Sequence, residues 1–454
     1  MAVMQIRRMP LLCFLLLNFY FLLILSSCSV TKQISKQADT ILLNDTAISK
    51  GHIGISIYEP ATNTYWYNYN ATKYFVPASN TKLFTLYAGM KYLGDSLTSA
   101  YYMDSNRIIK LIGAADPTFL HPYFKYQPLY EFIKLNKGKE ITLFEIFSQY
   151  NNHNSVDAFG KGWAWDDFNS SYMAERNFFP IYGNVATFSL KENKVIGSPS
   201  YFSDKIFQSD KSLNSFKIER QKESNFFFVS SLGNNTNSEE IPIKFGIDRN
   251  SLSIESSLLS DTVNQSIGFG KIALNSYLNL KRIHSQPTDS LFKPMMHRSD
   301  NFFAEQTLLM ASNEHLGYMS DEKIIDTLLK SDLKDVPQKP KWVDGSGLSR
   351  YNLFTPQSFV YILNKIKNEF GLERIKNILP TGGTGTLASY FKKDSSFIYA
   401  KTGTLSNNCA LSGYLITKKG KFLVFSVLAN NYQTGATPVR KAVEHFLEAI
   451  REKY

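Results

Sequence analysis

The sequence predicts a mixed α/β (α+β) fold, in which an antiparallel sheet flanked by helices is interrupted by a large β-rich insertion. Three observations lead to this prediction. Hairpin and helix patterns occupy residues 52–93, short strand patterns with Asn, Ser and Gly turns fill residues 97–290, and helix and strand patterns return over residues 301–450. Hydrophobic residues make up 43% of the 454 positions, enough for a large globular core.

The first of these segments combines a hairpin with a helix. Residues 52–70 alternate apolar and polar side chains around a Pro/Asn turn, which is typical of a β-hairpin. Pro77 then breaks the chain. The next segment predicts a helix over residues 79–93, because its apolar residues recur at helical spacing: Leu83, Leu86, Tyr87 and Met90.

The last segment supplies the remaining elements of the same domain. Helices are predicted at residues 301–312 and at residues 355–370, where Thr355 and Pro356 make a favourable helix start. Two or three adjacent antiparallel strands follow over residues 395–430. Residues 438–450 are amphipathic, with one apolar face formed by Val439, Val443, Phe446 and Ile450.

These patterns predict a domain organisation. Residues 29–96 and 291–454 form the two parts of one sheet-and-helix domain, after a polar tether that leads into a short helix. Residues 97–290 are the inserted β-rich region, as one or two subdomains. No convincing internal repeat is present.

Residues 1–28 are expected to direct export. Arg7 and Arg8 precede a long apolar run, and small residues then lead to Cys28, as in a bacterial lipoprotein signal. Cys28 is the predicted lipidation site, which would hold an exported, periplasmic protein at a membrane surface. Ser29 is not acidic, which favours the outer membrane. The alternative is an uncleaved membrane anchor.

The number and placement of cysteines, histidines and charged residues argue against a disulfide framework, a metal site and nucleic-acid binding. If Cys28 carries lipid and Cys13 is in the signal, Cys409 has no disulfide partner. The seven histidines are dispersed without ligand spacing, so no metal or other cofactor is expected. The net charge of +11 is scattered, which argues against nucleic-acid binding and suits an anionic polymer or membrane surface.

The first candidate catalytic pair is Ser79 and Lys82. A spacing of three places both side chains on one face of a helix, and the helix N-terminus offers N–H groups to a developing oxyanion. A Ser-x-x-Lys tetrad alone is weak evidence, since several others occur in the chain. The alternative is that Ser79 is an ordinary residue of a helix N-terminus.

Two further motifs follow in a consistent order. Ser299-Asp300-Asn301 precedes a helical stretch and has helix capping, with help from Glu305, as its alternative. Lys401-Thr402-Gly403-Thr404 ends a strand pattern, where Gly403 would let a ligand lie close along the strand. A plain strand ending in a turn is the alternative there. The three motifs together are the signature of penicillin-binding proteins and serine β-lactamases.

On these motifs the chain resembles the class C low-molecular-mass penicillin-binding proteins, which are D-alanyl-D-alanine carboxypeptidases and endopeptidases. The resemblance spans about residues 50–450. The long interval between Ser79 and Ser299 is also typical of that family. Ala115 is a departure, because the family has glycine before the aspartate. Further stretches that carry the resemblance are "LIGAADPTF", "GWAWDDF", "DGSGLSRYN", "LPTGGTGTL" and "AKTGTLSNNCALSGYL".

The resemblance implies a role for each motif residue. Ser79 would attack the carbonyl between the last two D-alanines of a cell-wall stem peptide. Lys82 would be the base, if burial and the nearby Lys401 lower its pKa. Ser299 would relay the proton and Asn301 would hold the substrate amide. The Ser79 and Thr404 N–H groups would form the oxyanion hole, and the terminal carboxylate would be bound by Lys401, Thr402 and Thr404. β-Lactams such as penicillin would be trapped as acyl-enzymes.

Two weaker candidates concern the side chain of the stem peptide. Asp166, with Asp167, would meet the free amine of the diamino acid, and the alternative is a pair of surface charges. Arg350 would bind the carboxylate of the same residue, and the alternative is a structural ion pair. Two other functions stay open: a low-turnover penicillin-binding or wall-binding module, and a β-lactamase or esterase.

Overall fold

The computed structural model describes residues 30–147, 156–208, 215–230, 238–246, 253–273 and 280–454. The predicted signal and Cys28 lie outside the described residues. The first described segment, residues 30–43, is helical. The predicted hairpin follows as strands β1 (His52–Glu59) and β2 (Thr64–Tyr69). The predicted helix is a 3₁₀ turn, Ala78–Thr81, continued by helix α1 (Lys82–Tyr92).

The insertion is β-rich, as expected, and its described residues also contain two α-helices that were not predicted from the sequence. Its first strands and helix are β3 (Ser96–Ser105), β4 (Ile108–Gly113), α2 (Pro128–Leu135) and β5 (Glu140–Phe147). Short strands follow: β6 (Val185–Lys191), β7 (Lys194–Ser198), β8 (Ile206–Gln208), β9 (Lys217–Arg220), β10 (Phe227–Ser230) and β11 (Ser238–Pro242). The insertion closes with α3 (Ile254–Val263), β12 (Ile267–Ala273) and β13 (Lys281–Pro287).

The C-terminal part, residues 288–454, contains six α-helices and three strands. The helices that precede the strands are α4 (Thr288–His297), α5 (Asn301–Leu316), α6 (Asp321–Lys330), α7 (Pro356–Phe370) and α8 (Leu372–Ile378). The predicted strands are β14 (Ile398–Leu405), β15 (Asn408–Ile416) and β16 (Phe422–Asn430), and the chain ends in α9 (Ala436–Lys453).

The two ends of the chain form one antiparallel five-stranded sheet in the order β14-β15-β16-β1-β2. Because side chains alternate across a strand, each face of this sheet carries its own core. On one face, residues such as Val427 pack with α9 and the N-terminal helical segment. On the other face, Leu428 and its neighbours pack with α1, α5 and α7. Strand β14 forms one edge of the sheet, beside the Ala78–Thr81 turn.

The insertion contains a second five-stranded sheet, β12-β5-β4-β3-β13, in which β12, β5 and β4 are parallel. Two three-stranded sheets accompany it, β8-β10-β9 and β11-β6-β7. Side chains from all three sheets, such as Ile109, Phe188 and Phe227, meet in one apolar cluster. The domain boundaries at residues 97 and 290 remain a prediction.

Candidate active site

Ser79 and Lys82 lie on one side of the turn that begins α1. Lys82 is completely buried, and Ser79 is half-buried. The Lys82 ammonium donates hydrogen bonds to Ser79 Oγ (3.1 Å), Asn301 Oδ1 (2.7 Å) and the Ser346 carbonyl oxygen (2.7 Å). Neither the turn nor α1 is capped by a side chain, so helix capping does not explain Ser79.

Burial lowers the pKa of Lys82 to about 8, because the protonated amine has lost its hydration. The nearby carboxylates of Asp344, Glu305 and Asp300 act in the opposite direction and raise it. From the sequence, Lys401 was expected to contribute to the lowering of the Lys82 pKa as well. In the structure the repulsion between the two lysines instead lowers the pKa of Lys401.

The second motif lies where α4 gives way to α5. Ser299 has a positive φ of 59°, which turns the chain between the two helices. Asp300 is the residue that caps α5, since its Oδ1 accepts from the Phe303 N–H at 3.0 Å. Asn301 does not cap the helix, and its amide makes two other hydrogen bonds. Its Oδ1 accepts from Lys82 Nζ, and its Nδ2 donates to the Tyr172 carbonyl oxygen at 3.1 Å.

The third motif lies on β14, which packs against the first two motifs. Lys401 is completely buried and donates to Ser299 Oγ (2.8 Å) and to the Thr402 carbonyl oxygen (2.7 Å). Burial is the largest cause that lowers its pKa, followed by repulsion from Lys82 and Arg440. A Cβ at Gly403 would lie 2.7 Å from the Pro77 carbonyl oxygen and 3.1 Å from the Ser79 nitrogen. Glycine is required here because β14 touches the turn that carries Ser79.

Several residues of the site were missed by the sequence analysis. Ser346 contributes only a backbone carbonyl, which has no signature in a sequence. Gly347 packs closely against the Ala78–Thr81 turn, since a Cβ there would lie 1.9 Å from the Ala78 carbonyl oxygen. Glu305 accepts from the Ser346 N–H at 2.7 Å rather than helping to cap α5. From the far side of β14, Arg440 of α9 donates to Thr404 Oγ1.

Arg350 is exposed, and its Nη1 donates to the Ser406 carbonyl oxygen at 3.3 Å. Its acceptor is therefore a carbonyl, not the carboxylate of an ion pair. It lies at the turn after β14, the strand that carries the third motif.

Asp166 is exposed in a 3₁₀ turn, Trp165–Asn169. The chain reaches Tyr172 six residues later, and the Tyr172 carbonyl contacts Asn301. The segment that carries Asp166 is thus attached to the second motif.

Ala115, the departure from the family pattern, has a positive φ of 62°. That backbone conformation suits glycine, which explains why glycine is usual there. The following Asp116 is buried and accepts from Thr118 N (2.9 Å) and Ser285 Oγ (2.6 Å). These Asp116 contacts lie within the insertion, whereas the Ala115 carbonyl oxygen accepts from Gln306 Nε2 of α5 at 2.9 Å.

The site places one hydrogen-bonded Ser-Lys pair, Ser79 and Lys82, beside a second pair, Ser299 and Lys401. No group of three or more metal-ligating side chains occurs among the residues that the structure describes. The profile of the D-Ala-D-Ala carboxypeptidase 3 (S13) family matches residues 34–450 of the sequence. The chain belongs to this family. Membership confirms the resemblance, the fold class and the expected enzyme class, a serine-type D-Ala-D-Ala carboxypeptidase.

Two relatives align with this S13 chain over most of their length. It is 24% identical over 455 residues to penicillin-sensitive carboxypeptidase A of Dictyostelium discoideum, covering 86% of this chain and 85% of the relative. It is 23% identical over 411 residues to D-alanyl-D-alanine carboxypeptidase DacB of Haemophilus influenzae, covering 81% of this chain and 83% of the relative.

Two solved structures share the fold of this S13 chain. Penicillin binding protein 4 of Haemophilus influenzae matches with a TM-score of 0.72 at 19% identity, covering 92% of this chain and 99% of that one. A predatory endopeptidase of Bdellovibrio bacteriovorus, in complex with an immunity protein, matches with a TM-score of 0.51 at 14% identity, covering 88% and 94%.

Proposed function

We propose that this S13 enzyme cleaves the D-Ala-D-Ala bond of peptidoglycan stem peptides, or their cross-links, through an acyl-enzyme on Ser79. The observation that carries the proposal is the set of three contacts made by the Lys82 nitrogen. Two of the acceptors, Asn301 Oδ1 and the Ser346 carbonyl, can only accept. A neutral Lys82 amine would donate its two hydrogens to them and direct its lone pair at the Ser79 hydroxyl.

That geometry makes Lys82 the general base of the reaction. The Ser79 proton moves to Lys82 as Ser79 Oγ bonds to the carbonyl carbon, and the carbonyl oxygen becomes an oxyanion. The lowered pKa of Lys82, about 8, gives a useful fraction of neutral amine near neutral pH. The Ser79 and Thr404 backbone N–H groups are assigned to the oxyanion, at the contact between the turn and β14.

Collapse of the intermediate needs an acid for the departing amine. Ser299 is suited to this task because its Oγ receives a hydrogen bond from Lys401 and can pass its own proton to the amine. As a relay, Ser299 takes up in turn the proton that Lys82 removed from Ser79, which returns Lys82 to the neutral amine. The C–N bond breaks, the amine leaves protonated, and water then hydrolyses the ester to restore Ser79. A β-lactam would form the same ester, with its leaving amine still tethered, and would remain bound as an inhibitor.

Substrate binding is assigned to the remaining motif residues. Asn301 would hold the peptide amide, while Lys401, Thr402 and Thr404 would bind the terminal carboxylate along β14. Gly403 supports this, because the absence of a Cβ keeps the strand against Ser79. Arg350 and Asp166 are proposed for the carboxylate and the amine of the diamino acid. Both side chains are exposed and lie on segments that contact the motifs.

Similarity to named proteins supports the same substrate and inhibitor classes. The Dictyostelium relative is named a penicillin-sensitive carboxypeptidase. The Haemophilus protein has been solved with a bound β-lactam, and that structure matches this chain with a TM-score of 0.66. The Bdellovibrio neighbour is named an endopeptidase.

Export and lipid anchoring at Cys28 complete the proposal. The substrate lies outside the cytoplasm, and the pattern of residues 1–28 is that of a lipoprotein signal. A lipid at Cys28 would place the enzyme at a membrane surface, with the outer membrane favoured. Within the described part of the chain, no helix is both long and apolar enough to cross a bilayer.

The test is release of D-alanine from a peptide that ends in D-Ala-D-Ala. Wild type should release it, Ser79→Ala should not, and both should have the same circular dichroism spectrum. A cross-linked muropeptide dimer, assayed in parallel, separates endopeptidase from carboxypeptidase action. Binding of penicillin without release of D-alanine would favour the low-turnover binding module instead.

A further inference from the structure

We propose that Glu305 is a positioning residue for Lys82. Acting through the Ser346 peptide unit, it holds the Lys82 nitrogen on Ser79, and its negative charge tunes the pH dependence of acylation. The inference rests on the proposed function and adds a residue to the site that none of the three motifs contains.

A single peptide group at Ser346 connects Glu305 with Lys82. Glu305 Oε1 accepts from the Ser346 N–H at 2.7 Å, and the Ser346 carbonyl accepts from Lys82 Nζ at 2.7 Å. Glu305 is one turn after Asn301 on α5, and Asn301 contacts the same Lys82 nitrogen. One helix therefore holds Lys82 directly through Asn301 and indirectly through Glu305. Gly345 lies so close to α5 that a Cβ there would be 2.6 Å from the Ala304 carbonyl oxygen.

Glu305 is itself held from the other side by Arg176. The side chains of the two residues are 1% and 3% exposed, and Arg176 Nη1 lies 3.5 Å from Glu305 Oε2. Arg176 also binds Asp321 and the carbonyl oxygens of Asp157 (2.8 Å) and Phe159 (3.1 Å). A buried carboxylate with two fixed partners keeps one rotamer, so the position of the Ser346 carbonyl is set by packing and does not depend on substrate.

The charges around the pair determine how it titrates. Lys82 faces the carboxylates of Glu305, Asp344 and Asp300, and it lies near the Lys401 ammonium. Glu305 faces Arg176 together with the carboxylates of Asp344 and Asp321. Burial and the neighbouring Asp344 raise the pKa of Glu305 to about 7. The negative charge of Glu305 stabilises the protonated Lys82, so the loss of a proton from either group opposes the loss of a proton from the other.

Two substitutions separate the hydrogen bond from the charge. Glu305→Gln keeps an oxygen for the Ser346 N–H and removes the charge, so Lys82 should lose its proton at lower pH. The rising limb of acylation against pH should move down by about one pH unit and become steeper. Glu305→Ala removes the acceptor as well. It should slow acylation about tenfold or more at every pH, because the Ser346 peptide is no longer held.

The experiment measures the rate of acylation by penicillin, from intact mass at quenched time points, between about pH 6 and about pH 9. Wild type, both Glu305 variants, Ser79→Ala and a matched control, Glu322→Gln, are compared. Glu322 is 70% exposed on α6 and pairs only with Lys161 among the described residues, so its removal should leave rate and profile unchanged. Circular dichroism and a thermal melt establish that each variant is folded.

Each outcome bears on one of the two proposals. A Glu305→Gln profile that superimposes on wild type, or a folded Glu305→Ala that acylates at the wild-type rate, overturns the role of Glu305. Equal slowing of Glu305→Gln and Glu305→Ala with no change in profile shows a structural role only and also overturns it. If wild type is not acylated, or Ser79→Ala is, the proposed function itself fails. Should Glu305→Ala not fold, the Glu305→Gln profile alone decides.

Discussion

Lys401 Nζ donates a 2.8 Å hydrogen bond to Ser299 Oγ, although the two residues are 102 positions apart. The bond joins β14 to the turn between α4 and α5, and it lies beside the Ser79–Lys82 pair. The site thus contains two Ser-Lys pairs. In the proposed mechanism, one activates the nucleophile and the other protonates the leaving group. Four of our predictions test the parts of this arrangement.

Ser299→Ala removes the proposed proton relay. We expect the rate of acylation by penicillin to fall about 100-fold or more, since a positioned acid contributes at least that much. Peptide affinity should change little, because Asn301 and β14 are intact. Steady-state kinetics on a D-Ala-D-Ala peptide would show the loss in kcat. Ser406→Ala, an exposed serine after β14, is the control. A rise in KM with normal kcat would assign Ser299 to binding instead.

Lys82→Arg removes the base while keeping a positive charge. Below its pKa of about 8 the wild-type lysine is protonated and has no lone pair, so acylation should rise as pH increases through that value. Arginine stays protonated at all these pH values, and acylation should fall about 1000-fold or more throughout. The measurement is the acylation rate from about pH 6 to about pH 9. Recovery of the variant at high pH would contradict Lys82 as the base.

Gly403→Ala tests the contact between β14 and the Ser79 turn. The added Cβ meets the Pro77 carbonyl oxygen at 2.7 Å and must separate the strand from the turn. We expect a loss of about 1–3 kcal/mol in the free energy of unfolding, measured with urea, together with slower acylation. Gly435→Ala is the control, since its Cβ would enter open space. Normal acylation by Gly403→Ala would show that the contact is not needed.

Arg440→Met tests whether the guanidinium orients Thr404. By donating to Thr404 Oγ1, Arg440 leaves the threonine hydroxyl hydrogen free for an anionic ligand. We expect KM to rise about tenfold for a peptide with a free C-terminal carboxylate and to stay unchanged for its C-terminal amide. Lys441→Met, which removes a charge one residue away, is the control; its partner is Glu444. Equal losses on both peptides would rule out recognition of the carboxylate.

Local patterns predicted the elements whose neighbours are close in sequence. The apolar face over Val439, Val443, Phe446 and Ile450 is buried, and the hairpin and late strands form where alternation indicated. The Ser79–Lys82 contact follows from helical spacing alone. Within the insertion, the parallel pairing of β4, β5 and β12 joins segments far apart in the chain, and no periodicity reports such pairing.

The residues that support the site were not predictable for a related reason. Glu305 has the sequence context of an ordinary helix residue, and its role depends on a turn 41 positions later. Arg440 reaches Thr404 only because α9 packs behind β14. The cause of the lowered pKa of Lys82 was predicted only in part: burial is correct, but the neighbouring charges are mainly carboxylates that oppose it.

The most direct test of the central claim is the intact mass of the protein after incubation with penicillin, followed by peptide mapping. Our account predicts one adduct per wild-type molecule, located on Ser79, and none on folded Ser79→Ala. An adduct on Ser79→Ala, or on another residue of the wild type, would contradict Ser79 as the nucleophile.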